Sequence, residues 1–159
     1  MIEKLAMTSR ALLAGTGSFA LVTSVRAGES LPKVAVTKDP SCGCCGGWVE
    51  HLRQADFPVE VTDATDVNRV KVRLGVPQAL AACHTAEVDG YVIEGHVPAP
   101  AIKRLLSERP QAKGLAVPGM PIGSPGMEVE GSEPEVYPVV LFGPAGQRIF
   151  ARFRGAQEA

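Results

Sequence analysis

Three of the four cysteines stand within four positions, Cys42-Gly43-Cys44-Cys45, and the fourth, Cys83, is followed at once by His84. The first group is both a C-x-C and a C-x-x-C, and the two spacings ask for different chemistry. Thiolates are soft donors that suit Cu(I), Zn(II) and iron–sulfur clusters; a C-x-x-C pair also serves thiol–disulfide exchange. A helix N-terminus directly after the cysteines would favour thiolate for either purpose, through its free N–H groups and positive dipole end. A plain disulfide staple is the bland alternative, but a bridge between such close neighbours closes almost no loop and constrains little. Cys83 can bridge to one of the three or complete a metal site with them. His84 sets an imidazole beside that thiolate, a mixed soft and borderline donor set.

Weaker candidates surround this group. His96, in Glu94-Gly95-His96-Val97-Pro98, follows a hairpin whose other end begins at Cys83-His84, so it can return to the same end of a sheet. Taken alone, it reads as a cap or a satisfied surface group. His51 lies on the helix after the cysteines and reads as structural or solvent-facing. Met120 and Met127 each follow a glycine in a proline-glycine stretch and lack the periodic context of core methionines. They are read equally as thioether ligands or a lid, and as plugs holding the loop on the core. No Gly-x-Ser-x-Gly, His-Glu-x-x-His or phosphate-cradling Gly-x-x-x-x-Gly-Lys is present. Residues 128–135 carry four glutamates but no EF-hand glycine turn, and read as a solvated loop.

The 159 residues suit one domain. A formal charge of −1, without a basic run, argues against nucleic acid, and 5% aromatic content against base stacking. Residues 1–27 read as a signal peptide: Lys4 and Arg10, an uncharged stretch at 11–25, then Val25-Arg26-Ala27 as the cleavage site. The apolar run is shorter than the roughly 20 residues of a spanning helix, which disfavours an uncleaved anchor. Arg10 stands alone, so no twin-arginine signal is evident. Lys4, Arg10, Arg26 and Glu3 leave with the leader, and the remaining 13 basic and 16 acidic residues carry a net of −3. Every cysteine and histidine lies in residues 28–159, bound on this reading for an oxidising space.

The elements that must position these groups follow from periodicity and breakers. Residues 32–38 read as a buried strand, 41–47 as a turn bent at Gly46-Gly47, and 48–55 as a helix. A strand is expected at 58–62 and a helix at 66–74, capped by Asp66 and closed by Gly75. Asp89-Gly90 marks a hairpin within 86–94, and a helix over 98–108 has Pro98 or Pro100 in its first turn. Seven prolines within 110–144 change the texture; residues 114–127 read as an ordered loop that excludes a central strand. Residues 139–142 and 148–153 read as a closing hairpin. The order implies an α/β sandwich, a mixed sheet flanked by helices, and matches the thioredoxin-like arrangement of a cysteine motif between first strand and helix.

Taken together, Cys42-Gly-Cys-Cys45, Cys83-His84-Thr85, Asp89-Gly-Tyr91, Glu94-Gly-His96-Val-Pro98 and the loop from Gly114 through Met120 and Met127 to Glu128 resemble the CopG-like copper-resistance family. These are exported bacterial proteins, long described as a domain of unknown function and as metal-binding. The resemblance runs from about Val34 to Tyr137 and leaves the tail uncovered. It implies a thioredoxin-like fold, with Cys42, Cys44, Cys45 and Cys83 as thiolate ligands gathering one or more copper ions in the periplasm. His84, His96, Met120 and Met127 are the further candidate ligands.

The function expected is therefore a periplasmic copper-binding protein that detoxifies or hands on Cu(I), in a domain spanning residues 28–159. Its expected partners are copper ions and other periplasmic copper-handling proteins, with no nucleic acid and no stable membrane insertion after cleavage. The rival is a thiol–disulfide or Cu(II)-reducing oxidoreductase, with Cys42 and Cys45 as the redox pair and Cys44 or Cys83 resolving. A structural zinc module ranks behind both, because an oxidising destination and surplus donors argue against a closed four-ligand site.

Overall fold

The structure, a computed structural model, describes residues 30–159. The leader expected over residues 1–27 lies outside the described residues. In chain order the elements are β1 (Val34–Lys38), α1 (Gly43–Gln54), β2 (Val59–Asp63), α2 (Val67–Leu74), a 3-10 turn (Gln78–Leu80), β3 (Thr85–Val88), β4 (Tyr91–Glu94), α3 (Ala99–Glu108), β5 (Gly114–Ala116), β6 (Val136–Gly143), β7 (Gly146–Arg154) and β8 (Gln157–Glu158). Among the described residues the eight strands form one open mixed sheet in the order β2-β1-β3-β4-β5-β6-β7-β8. The β1–β2 and β4–β5 pairs are parallel and the rest antiparallel. No helix of the described residues is long and apolar enough to cross a membrane.

Local chemistry accounts for most boundaries. The β3–β4 hairpin turns at Asp89-Gly90, both at positive φ (47° and 86°), as a tight two-residue connection requires. Asp66 caps α2 by accepting from the Arg69 N–H at 3.1 Å, and Gly75 closes the helix at φ 72°. The α3 helix carries Pro100 in its first turn, and its leading N–H, on Ala99, donates to His51 Nε2 at 3.0 Å. His51 is thus structural, a cap supplied by one helix to another.

Side chains alternate across the strands. One face packs Val34, Val36, Ala86, Ile93, Leu115, Val139 and Leu141 against Trp48, Val49 and Leu52 of α1 and Ile102 and Leu105 of α3. The other face holds a smaller cluster of Leu80, Val92, Ala116 and Phe142, with Leu74 and Val76 from the end of α2 and the chain beyond it. The cysteine-bearing end of α1 is therefore anchored through Trp48, which is fully buried and donates its Nε1–H to the Val97 carbonyl at 2.8 Å.

Two expectations are corrected. The first is that residues 114–127 exclude a central strand: Gly114–Ala116 is β5, buried throughout and paired on both sides. Within 114–127 the first proline is Pro118, beyond the strand, and Gly114 passes so close to β4 that a Cβ would stand 1.7 Å from the Val92 carbonyl oxygen. Glycine here admits close pairing and does not break the strand. The second is the turn expected at 41–47. The helix already starts at Gly43 with Cys42 as its N-cap, so Cys44 and Cys45 lie in the first turn. Gly47 serves packing, since a Cβ there would meet Gly126 Cα at 2.9 Å.

Candidate metal centre

Cys42 is held at the mouth of α1 by a turn in which its N–H donates to the Asp39 carbonyl at 3.1 Å. Asp39 in turn accepts from the Ser41 N–H and hydroxyl, which hold its carboxyl below the usual carboxylate range. The helical rise then stacks Cys45 inward, fully buried, and leaves Cys44 half-buried beside Cys83. Cys42 and Cys45 are joined as a disulfide, and Cys44 and Cys83 are free thiols. Cys44 Sγ lies 3.5 Å from Cys42 Sγ and 3.9 Å from Cys83 Sγ. All four sulfurs fall within 4.8 Å of one another.

Cys83 and His84 arrive from the segment between the 3-10 turn and β3, and His96 from the chain just after β4. The β3–β4 hairpin brings both ends together, as its Asp-Gly turn leads one to expect. His96 Nδ1 donates to the Pro125 carbonyl at 2.8 Å. A carbonyl only accepts, so the neutral ring keeps its lone pair on Nε2, which sits 3.0 Å from Cys83 Sγ. This backbone contact fixes tautomer and ring orientation in the manner of second-sphere partners of metal-ligating histidines. His84 Nδ1 stands 3.3 Å from the same sulfur, and its fully buried Nε2 has no hydrogen-bond partner among the described residues. The His84 ring lies between Trp48 (centroids 4.3 Å apart) and the edge of His96 (5.1 Å).

Burial dominates the electrostatics. It pushes the Cys83 thiol up to about 12, with Cys44 adding to the effect. It also pulls His96 below the ordinary imidazole value and His84 well below it, the latter helped by His96 and Lys71. Thiol and imidazoles therefore rest neutral, and a cation bound at Cys83 must release the proton. A cleft of ≈ 200 Å³ lined by Asp39, Asp66, Lys71, Ala82 and Cys83, among others, gives access from solvent. The donor set, sulfur with imidazole nitrogen, is one that soft cations prefer.

The proline-glycine loop meets this cluster through its backbone. Besides the Pro125 carbonyl, Gly126 (φ 86°) packs so tightly on α1 that a Cβ would stand 2.4 Å from Cys44 O and 2.6 Å from Trp48 N. Met120 is 54% exposed and Met127 half-buried.

Sequence reading missed one part of the surroundings, the buried pair Lys71–Glu94, whose atoms are 2.7 Å apart. The signal was present: Lys71 follows Val67 by four residues and so shares its buried helical face.

The chain as a whole is similar to known proteins. A family described as a protein of unknown function, DUF411, matches residues 80–127, a span that holds Cys83, His84, His96 and both loop methionines but not the first three cysteines. A search of curated proteins finds no match. Two solved structures named copper resistance protein CopG, Form 1 and Form 2, are each 42% identical to the chain with a TM-score of 0.72. They cover 79% and 77% of this chain, and 99% and 98% of their own. With this identity over most of both chains, the protein belongs to the CopG copper resistance protein family.

Proposed function

We propose that the protein binds Cu(I) as cargo in the periplasm and contributes to copper resistance, receiving and passing on the ion among other copper-handling proteins. The carrying observation is the convergence of four cysteine sulfurs within 4.8 Å, with His96 Nε2 3.0 Å from one of them. Cys42, Cys44, Cys45 and Cys83 supply terminal or bridging thiolates, His96 supplies Nε2, and His84 and the Met120–Met127 loop complete or cover the shell. Four thiolates exceed the needs of one two-coordinate Cu(I), so a small multi-copper cluster fits the donor count. The portion from β1 to α3 is read as thioredoxin-like, on the strand order β2-β1-β3-β4 and the cysteines at the start of α1. The family likeness and the apolar leader in residues 1–27 support an exported location. Zinc is less favoured than copper, since four cysteine sulfurs together with His84 and His96 exceed the four ligands of a closed structural zinc site.

The test is loading of reduced protein with Cu(I) under a chelator. At least one ion per chain is expected to bind, and a Cys42/Cys44/Cys45 triple serine variant should lose it. A stoichiometry below one, or loading unchanged in the variant, overturns the reading. Oxidised protein should bind less, because the Cys42–Cys45 disulfide withdraws two of the four thiolates.

That disulfide favours a second reading, a Cu(II)-reducing oxidoreductase. Two Cu(II) ions would take one electron each from the Cys42/Cys45 dithiol, giving two Cu(I), the disulfide and two protons. Stoichiometric disulfide formation and release of Cu(I) on anaerobic addition of Cu(II) support it; thiols that stay reduced after that addition exclude it.

A further inference from the structure

The cluster is framed by a buried charged unit that copper binding as described above does not use. Lys71 is 5% and Glu94 0% exposed. The Lys71 ammonium donates to Glu94 Oε1 at 2.7 Å and to Thr85 Oγ1 at 2.9 Å. Glu94 Oε1 also accepts from the Ala82 N–H at 2.7 Å, and Oε2 from the Thr85 hydroxyl at 2.6 Å. Ala82 and Thr85 flank Cys83-His84 on either side, and Glu94 stands two residues before His96. One carboxylate thus clamps both ends of the Cys83–His84 step to the strand that delivers His96. Gly95 tightens the same junction: its N–H donates to the His84 carbonyl at 3.0 Å, and a Cβ on it would meet Ala82 Cβ at 2.6 Å.

Burying a carboxylate and an ammonium is expensive, and an apolar pair of similar volume often serves stability as well or better. The unit's value then lies in what it positions. Lys71 is also the one cation of α2 turned inward, while Arg69 and Arg73 are exposed.

We propose that Glu94, with Lys71 as its counter-ion and Thr85 as its second anchor, is a positioning residue for copper binding that acts through Cys83, holding its sulfur against Cys44 and His96. This rests on the Cu(I) reading, but the placement of Cys83 can be measured without copper. In the oxidised protein the two free thiols, Cys44 and Cys83, lie 3.9 Å apart and should be bridged by a short bis-alkylating bimane, which fluoresces only when both ends react.

Two double variants separate positioning from stability. Lys71→Met/Glu94→Leu removes the clamp and leaves no unpaired charge. It should keep the wild-type unfolding midpoint or exceed it, lose most bimane bridging, and bind Cu(I) about 10–100-fold more weakly in chelator competition. Lys71→Met/Glu94→Gln keeps an amide that can still accept from Ala82 and donate to Thr85, and should restore bridging and most of the affinity. Should the leucine variant not fold, Thr85→Val removes one anchor alone, and a several-fold drop in both readouts is expected. Bridging and affinity unchanged in the folded leucine variant, or in Thr85→Val if that one decides, overturn the proposal. Wild-type protein that bridges but takes up no Cu(I) overturns the copper reading, whereas bridging lost in the leucine variant still supports the clamp.

Discussion

The Cys83 sulfur touches both halves of the centre, 3.9 Å from Cys44 Sγ and 3.0 Å from His96 Nε2. Burial holds its proton to about 12, so a soft cation binding there displaces that proton throughout the neutral range. Apparent Cu(I) affinity should rise about tenfold per pH unit for each thiol proton released. The imidazoles, pulled below 6.5, add no competing protons near neutrality. Chelator competition between about pH 6 and 8 checks this, with Cys83→Ser lowering the slope by about one log unit per pH unit. His51 makes the opposite kind of statement, about the fold. It must be neutral to accept from Ala99, and burial depresses its pKa below 6.5. Its contribution is fully present above the unfolded value and is lost as pH falls through the lower folded value. His51→Gln keeps an acceptor that does not titrate, so its melting temperature should fall less than that of wild type between about pH 7 and 5.

Between elements, the contacts that matter are made by glycines. Gly126 lets the loop backbone lie on the first turn of α1, where Pro125 orients His96. Gly126→Ala puts a Cβ 2.4 Å from Cys44 O and strains a φ of 86°, so the loop should lift at a cost of about 1–3 kcal/mol. The expected outcome is a folded protein with a lowered unfolding midpoint, altered Trp48 emission and faster Cu(I) release in chelator challenge. The Asp89-Gly90 hairpin, the Asp66 cap and the Gly75 stop were legible in the sequence because each is a local rule satisfied within four residues. The start of α1 and the existence of β5 were not. Gly46-Gly47 and Gly114 look like breakers in one dimension, and only the approach of Gly126 to Gly47 and of Val92 to Gly114 shows that the missing Cβ admits a neighbour.

For the whole molecule, the strands after the loop are integral to the sheet. β6 pairs with β5, and Tyr137, Val139, Leu141 and Phe153 join the same core as Trp48 and Ile102, with Phe142 on the opposite face. Removing one buried Phe side chain typically costs about 3–5 kcal/mol, against a total stability of about 5–15 kcal/mol for a domain. Deleting residues 136–159 should therefore abolish cooperative folding, seen as loss of a thermal transition by circular dichroism and of a monomer peak in size exclusion. A truncated chain that still melts cooperatively and loads Cu(I) would show that the sheet ends functionally at β5. The resemblance drawn from the motifs stopped near Tyr137, whereas the solved CopG chains extend over 77% and 79% of this one.

The residue types and their order settled by themselves that the chain carries soft-donor chemistry, because a thiolate's affinity for soft metal ions is a property of sulfur and survives any fold. They also settled the order of helices and strands from β1 to α3, since side-chain periodicity is local. Tertiary structure decided what those donors surround. It set Cys44 against Cys83 across 39 positions of chain and turned His96 Nε2 onto the same sulfur by means of a loop carbonyl. It also assigned His51 to a helix cap and brought Lys71 to Glu94 beneath the site. Those outcomes depend on which surfaces pack together, and burial is a sum over neighbours that the linear order does not contain.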